Sequence, residues 1–170
     1  MQIYVADLSD YNQGFLTGIW IDLEGMSDEE EIHEQVQTML EKRTKETGEL
    51  HEEWGIHDYD SAPVGLSEYE DFKHLIEIQQ AIDEHDDDIV EACFDCGIPL
   101  NKINDCYVGQ YADEEDYAYQ YCEDVGILSQ IPENLKNYFD YSSFGRDIFL
   151  NGDMQGSRVN GQFYVFHNNY

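Results

Sequence analysis

The sequence predicts an α+β protein, an elongated chain of three small domains under a strongly acidic surface: mixed α/β at 1–62, helical at 63–103 and mixed α/β at 104–170. Three observations carry the prediction. Strand-like apolar alternation near both ends is separated by a stretch whose apolar residues recur at helical spacing. Aromatic residues make up 14% of the 170 residues, with 13 Tyr, 8 Phe and 2 Trp, enough apolar surface for a core. The charge is extreme, 38 Asp plus Glu against 8 Lys plus Arg, for a formal −30. Disordered acidic segments lack the aromatics needed to offset chain entropy by burial. Here the carboxylates are therefore expected on an ordered surface, where they repel one another and favour a basic partner.

In the first domain, "IYVADL" (3–8) and "GIWIDL" (18–23) read as strands joined through "SDYNQGFLT", a hairpin by its turn residues. "SDEE" (27–30) reads as a capping box, Ser27 accepting from the third helical amide and Glu30 reaching back. Ile32, Val36, Met39 and Leu40 follow at helical spacing, and the helix ends before Gly48. "LHEEWGIHDYD" (50–60) supplies a third strand around Trp54 and Ile56, and "SAPVG" (61–65) a loop. The middle domain opens on a second capping box, Ser67 with Glu70, before a stripe of Phe72, Leu75, Ile76 and Ile82. A further helix at about 86–96 stops at Gly97, with Pro99 just beyond.

The last domain begins with a strand at "CYVGQY" (106–111), followed by "DEEDYAYQYCEDVG" (113–126), which places six carboxylates and three tyrosines in one helix with no Lys or Arg. Tyr117, Tyr121 and Val125 fall four apart, with Ala118 and Cys122 beside them, so this stripe is expected to hold the helix down. The acids of its first turn suit the helix dipole. "IPENLKNYF" (131–139) reads as a helix with Pro132 in its first turn, and "GQFYVFH" (161–167) as a final strand.

Charge is unevenly distributed. Fifteen acids and only Lys73 lie between Glu49 and Glu91, and seven acids with no base between Ile103 and Asp124. Such runs are most often solvated faces. Duplex DNA, however, carries one charge per about 1.7 Å of axis, so thirty charges correspond to about 50 Å of duplex. A compact 170-residue globule has a radius of gyration of about 15 Å. Three small units in a row can reach a DNA-like length and charge density, with carboxylates standing in for phosphates. The candidates are Glu68, Glu70, Asp71, Asp86, Asp87, Asp88, Asp113, Glu114, Glu115, Asp116, Glu123 and Asp124. Crowding of like charge is also expected to raise folded-state carboxylate pKa values, so that stability rises as pH falls toward about 5.

Competing chemistries fit less well. "CFDC" (93–96) with Cys106 and Cys122 offers four thiols, but the last two are not paired as CxxC and sit at core-facing positions, unlike a zinc site. "DEHDDDIVE" (83–91) lacks the glycine and spaced Glu of a calcium loop. His51 and His57 stand as H-x5-H rather than HExxH, in what reads as a strand. Carboxylate pairs are unavoidable among 38 acids, so they do not point to a glycosidase. No metal, cofactor or catalytic residue is expected. The start lacks the basic and apolar regions of a signal peptide, and the cysteines fit a reducing compartment; a cytoplasmic protein is expected, with no membrane or nucleic-acid partner.

Four stretches together resemble the ArdA antirestriction family, in its order and over most of the chain: "YVADLSDYNQGFLTGIWIDL", "EEWGIHDYD", "LSEYEDF" and "GILSQIPENLKNYFDYSSFGRDIFLNGD". The last matches the family's antirestriction motif at Leu128, Ile131, Pro132, Leu135, Tyr138, Phe139, Asp140, Tyr141, Arg146 and Asp147. The resemblance implies an elongated, non-enzymatic, homodimeric mimic of bent B-form DNA, encoded on mobile genetic elements. It would occupy the DNA-binding cleft of Type I restriction-modification enzymes, made by their specificity and methylation subunits, and the motif region would contribute to dimerisation. Arg146 is expected to pair with a carboxylate internally or at a subunit interface, and Tyr138, Phe139, Tyr141 and Phe144 to make core or dimer contacts. Two alternatives stand beside this reading. One is a mimic directed at another DNA-binding protein; the other is a halophile-type acidic protein, which predicts evenly spread acids.

Overall fold

A computed structural model describes residues 1–169, and these form two compact units that divide between Asp86 and Asp87. Both are mixed helix and sheet. The two helices expected to share a middle domain belong to different units, one to each.

The first unit runs β1 (Gln2–Asp7), α1 (Leu8–Asn12), β2 (Gly18–Asp22), α2 (Glu30–Thr47), β3 (Trp54–Asp60) and α3 (Phe72–Glu84). Its sheet is antiparallel in the order β2-β1-β3. Alternation along the strands sends Ile3, Val5, Ile21 and Ile56 to one face, where they meet Ile32, Val36, Met39 and Leu40 of α2 and Phe72, Leu75 and Ile76 of α3. Trp54 stacks on Phe72 at 4.6 Å, tying β3 to α3. On α3 the buried residues include Ile78 and Gln79, whereas Ile82 is only half-buried. A register shift between Tyr4 and Val5 lets β3 carry one extra residue there.

The connection between β1 and β2 is more than a turn. Asp7 caps α1, its side chain accepting from the amides of Ser9 and Asp10. Neither expected capping box starts its helix. Asp28 accepts from the Glu30 amide and the Ser27 amide reaches Glu31, so α2 begins three residues after Ser27. The Ser67 amide donates to Glu70 as expected, but this closes a turn, and Asp71 caps α3 through the Lys73 amide. At α3 an aspartate nearer the apolar run takes the cap in place of the serine farther away, whereas the N-cap of α2, Glu29, makes no side-chain cap bond. Gly48 ends α2 at φ 75°, a left-handed conformation that glycine adopts without strain.

The second unit runs α4 (Asp87–Asp95), α5 (Ile103–Cys106), β4 (Tyr107–Tyr111), α6 (Glu114–Asp124), α7 (Glu133–Lys136), α8 (Tyr141–Leu150), β5 (Met154–Val159) and β6 (Gln162–His167). The sheet is antiparallel, β4-β6-β5. Phe163, Tyr164, Val165 and Phe166 are all buried, so central β6 is covered on both faces. Tyr117, Ile148 and Phe149 join Phe163 and Val165 on one side, while α4 contacts β5 and β6. The helix expected over 131–139 is a single turn, α7, with Pro132 just before it. The main helix of this region is instead α8, capped by Asp140 through the Ser143 amide.

Candidate functional site

None of the twelve candidate carboxylates is buried. Glu68, Asp71, Asp86, Asp87, Asp113, Glu115, Glu123 and Asp124 are exposed, and Glu70, Asp88, Glu114 and Asp116 are half-exposed. Half of them are held by specific partners. Glu68 lies 3.5 Å from His57 and is placed there because the Ile56 amide donates to its carbonyl, laying the segment along β3. Glu70 and Asp71 accept the amides described above. Asp88 accepts from Asn160 at 2.8 Å and from the Tyr164 hydroxyl at 3.0 Å.

At α6 Asp113 accepts from the Asp116 amide at 2.9 Å, and Asp116 reaches back past Asp113 to accept from the Ala112 amide at 3.0 Å. Four consecutive acids thus lie at the start of one helix, Asp113 satisfying the Asp116 amide, which would otherwise lack an intrahelical partner. The face that holds α6 down differs from the expected stripe. Tyr117, Ala118 and Cys122 are buried, but Tyr121 is 38% and Val125 51% exposed. The displacement arises because α6 packs on α8 as well as on the sheet, and Gly145 of α8 meets the backbone of Glu114 and the Cβ of Ala118. Burial pushes the Tyr117 phenol up to about 12.

The motif residues lie on and around α7 and α8. Leu128, Ile131, Phe139 and Tyr141 are half-buried, and Pro132, Leu135, Asp140 and Asp147 are exposed. Phe139 packs against Tyr141 and Phe144 at 4.9 and 5.4 Å, and Tyr141 against Tyr119 at 5.2 Å. Tyr138 is 83% exposed, so it is not a core residue. Arg146 is not internal either: it is exposed, and its Nε lies 3.8 Å from the equally exposed Asp147.

The structure also brings together a buried acid network. Asp7 accepts from His51 Nδ1 at 2.6 Å, His51 Nε2 meets the Thr47 hydroxyl at 3.0 Å, and the Arg43 guanidinium grips both oxygens of Asp10. Carboxylate and imidazole atoms of Asp7, Asp10 and His51 converge within 4.8 Å, a spacing a cation can use. Their lone pairs are already engaged by Arg43, by backbone amides and by each other, which marks the cluster as a tie between the end of β1, α1, α2 and the segment leading into β3. His51 and His57 therefore have unrelated partners. The cysteines are all free, Cys93, Cys106 and Cys122 are buried, and Cys93 donates to the Ile98 carbonyl.

Carboxylates with displaced pKa values run against the crowding expectation. Asp10 is lowered chiefly by Arg43, Asp22 by the Glu24 amide and then Gln2, and Asp140 by Ser143. At these three positions hydrogen bonds and one guanidinium outweigh repulsion.

Among the described residues no helix is long and apolar enough to cross a membrane. A search of curated proteins finds no match. The model of the ArdA antirestriction protein family matches residues 3–160, and the chain belongs to that family.

Proposed function

We propose that the chain acts as a mimic of B-form DNA, occupying the cleft of Type I restriction-modification enzymes where the specificity and methylation subunits hold duplex. The observation that carries this reading is the start of α6, where four consecutive carboxylates stand unburied with no cation in the sequence run, the outer two, Asp113 and Asp116, fixed by hydrogen bonds from backbone amides. Proteins hold DNA mainly through Lys and Arg on phosphates, and carboxylates accept the same charge-assisted hydrogen bonds. A protein offers neither a scissile phosphodiester nor a base to methylate, so occupancy alone inhibits both restriction and modification. Immobilising a flexible side chain on binding costs about 0.5–1.5 kcal/mol; acids already tethered to their own backbone avoid part of that cost.

An elongated form belongs to the same proposal, because it lets thirty charges span about 50 Å. So does a homodimer, in which exposed Leu135 and Tyr138 of the motif region are covered by a second copy. The test is competition: a purified Type I methyltransferase core, unmodified target duplex and the full chain at several salt concentrations. Stoichiometric displacement of duplex that weakens steeply with salt is the expected result. Failure to bind the enzyme or displace its DNA overturns the proposal for that enzyme class.

A further inference from the structure

Helices α2 and α3 cover one face of the first sheet; the other face carries an aromatic platform set among carboxylates. The strand register puts Trp20, Tyr4 and Asp58 in one row across β2, β1 and β3, and Asp22, Gln2 and Asp60 in the next. Tyr4 and Trp20 lie with ring centroids 5.4 Å apart. The platform is shaped by Gly18: a Cβ there would meet the Tyr4 ring and hydroxyl at 2.7 Å, so the phenol lies across bare backbone beside the indole. Trp20 is nevertheless 49% exposed, and Gln2, Asp22, Asp58 and Asp60 are exposed with it. An open depression of about 390 Å³ is lined by Gln2, Trp20, Asp58, Tyr59 and Asp60. No Lys or Arg occurs on these three strands.

We propose that this sheet face binds an arginine side chain of a basic protein partner, the guanidinium stacked on Trp20 and hydrogen-bonded by Asp58 or Asp60. Charge complementarity selects a cation, and the indole selects among cations. A planar, weakly hydrated guanidinium stacks on aromatic faces and forks onto a carboxylate, whereas a compact ammonium is better solvated and less well matched. The carboxylates beyond the ring edge supply the in-plane acceptors the guanidinium needs. The inference deepens the mimicry proposal by naming the cation captured at the first unit, and it rests on that proposal for the partner's identity alone.

The probe is tetra-arginine, with tetra-lysine as comparison, titrated into the full chain. The Trp20 indole N–H resonance reports occupancy, and calorimetry reports affinity. A saturable Trp20 shift with tetra-arginine is expected, with tetra-lysine binding more weakly. Trp20→Leu should weaken tetra-arginine by about two- to five-fold, the range of an exposed cation–π contact. The double variant Asp58→Asn, Asp60→Asn, which leaves the ring in place, should weaken both peptides. No saturation at Trp20 in the wild-type chain, or equal affinity for the two peptides, overturns the proposal. So does unchanged tetra-arginine affinity in a Trp20→Leu variant whose urea midpoint matches wild type. The failures are separable: a chain that binds tetra-arginine at Trp20 but displaces no DNA from the methyltransferase sinks the mimicry reading and leaves the arginine site standing.

Discussion

Replacing Gly145 by alanine sets two effects of known sign against each other. Alanine is the better helix former by about 1 kcal/mol, so on an exposed helix face the change would stabilise. Gly145 is buried where α8 crosses α6, and an added Cβ would lie 2.9 Å from the Glu114 carbonyl carbon, closer still to its oxygen, and 3.3 Å from the Ala118 Cβ. Carbon atoms pack comfortably at about 3.5–4.0 Å, so the crossing must open by roughly 0.5–1 Å. The obstacle is backbone, which no rotamer change can relieve. Overpacking of this kind costs about 1–3 kcal/mol; because the obstacle is backbone the upper part of that range applies, and after the propensity gain the net loss is up to about 2 kcal/mol. For a domain of this size each kcal/mol lowers Tm by about 4–8 °C.

Urea unfolding followed by tyrosine near-UV circular dichroism is the assay, since Tyr117 and its neighbours report the packing of α6. Adding Ala118→Gly should rescue little, because the contact with Glu114 persists. A Gly145→Ala chain as stable as wild type, or more so, would refute the close crossing. A destabilised chain should also inhibit less well, because α6 carries Asp113, Glu114, Glu115 and Asp116 and loses its seat.

Asp113→Ala should cost about 1 kcal/mol through the lost cap, whereas Asp113→Asn should keep the urea midpoint and lose only charge; a loss of inhibition confined to the stability-impaired variant would argue that this carboxylate does not face the partner. Asp7→Ala leaves His51 buried without its acceptor and removes the cap of α1, so a loss of about 2–4 kcal/mol is expected, read as a fall in urea midpoint. The Asp10 carboxyl is held below its ordinary value by Arg43. The unfolded chain therefore binds this proton more readily, and the stabilisation is complete above about pH 4 and lost as pH falls further. Asp10→Asn should flatten that acid limb in pH-dependent urea midpoints, and an unchanged limb would assign it to other groups. Burial pushes the Cys93 thiol up to about 12, so iodoacetamide at pH 8 should label Cys93 only on unfolding; rapid labelling of Cys93 in the native chain would contradict its burial.

Long periodic segments were legible in the sequence because burial and helical spacing agree there. Ile32, Val36, Met39 and Leu40 are buried on one face of α2, and Gly48 and Gly97 stop their helices with positive φ. Short elements were not. The hairpin of β5 and β6 turns on Asn160-Gly161, both at positive φ, a dipeptide that on its own signals a two-residue hairpin. Helix α8 announces itself by Asp140 three residues before Ser143, but its apolar positions, Phe144, Ile148 and Phe149, pack around a glycine and blur the period. The Asp7–His51 bond joins positions 44 residues apart; nothing local in either neighbourhood specifies a long-range polar pair.

The misassigned stripe on α6 explains why acids and aromatics interleave. One row of tyrosines facing the sheet would need only i, i+4 spacing, yet of Tyr117, Tyr119 and Tyr121 only Tyr117 is buried. Tyr119 and Tyr121 are exposed on their own helix yet lie 5.2 and 6.3 Å from Tyr141 and Phe144. The rings thus form a second, partly wet contact layer between α6 and the motif segment. Aromatic rings tolerate such half-burial because one end can be apolar and the other hydrated. Carboxylates between them stay in water while the helix is gripped on two sides, and position, rather than charge alone, is what a flexible acidic tail cannot supply. It follows that Tyr119→Ala should impair inhibition without altering net charge, by loosening the helix that carries the acids. A Tyr119→Ala chain with unchanged amide exchange in α6 and full inhibition would show that the second layer does not hold it.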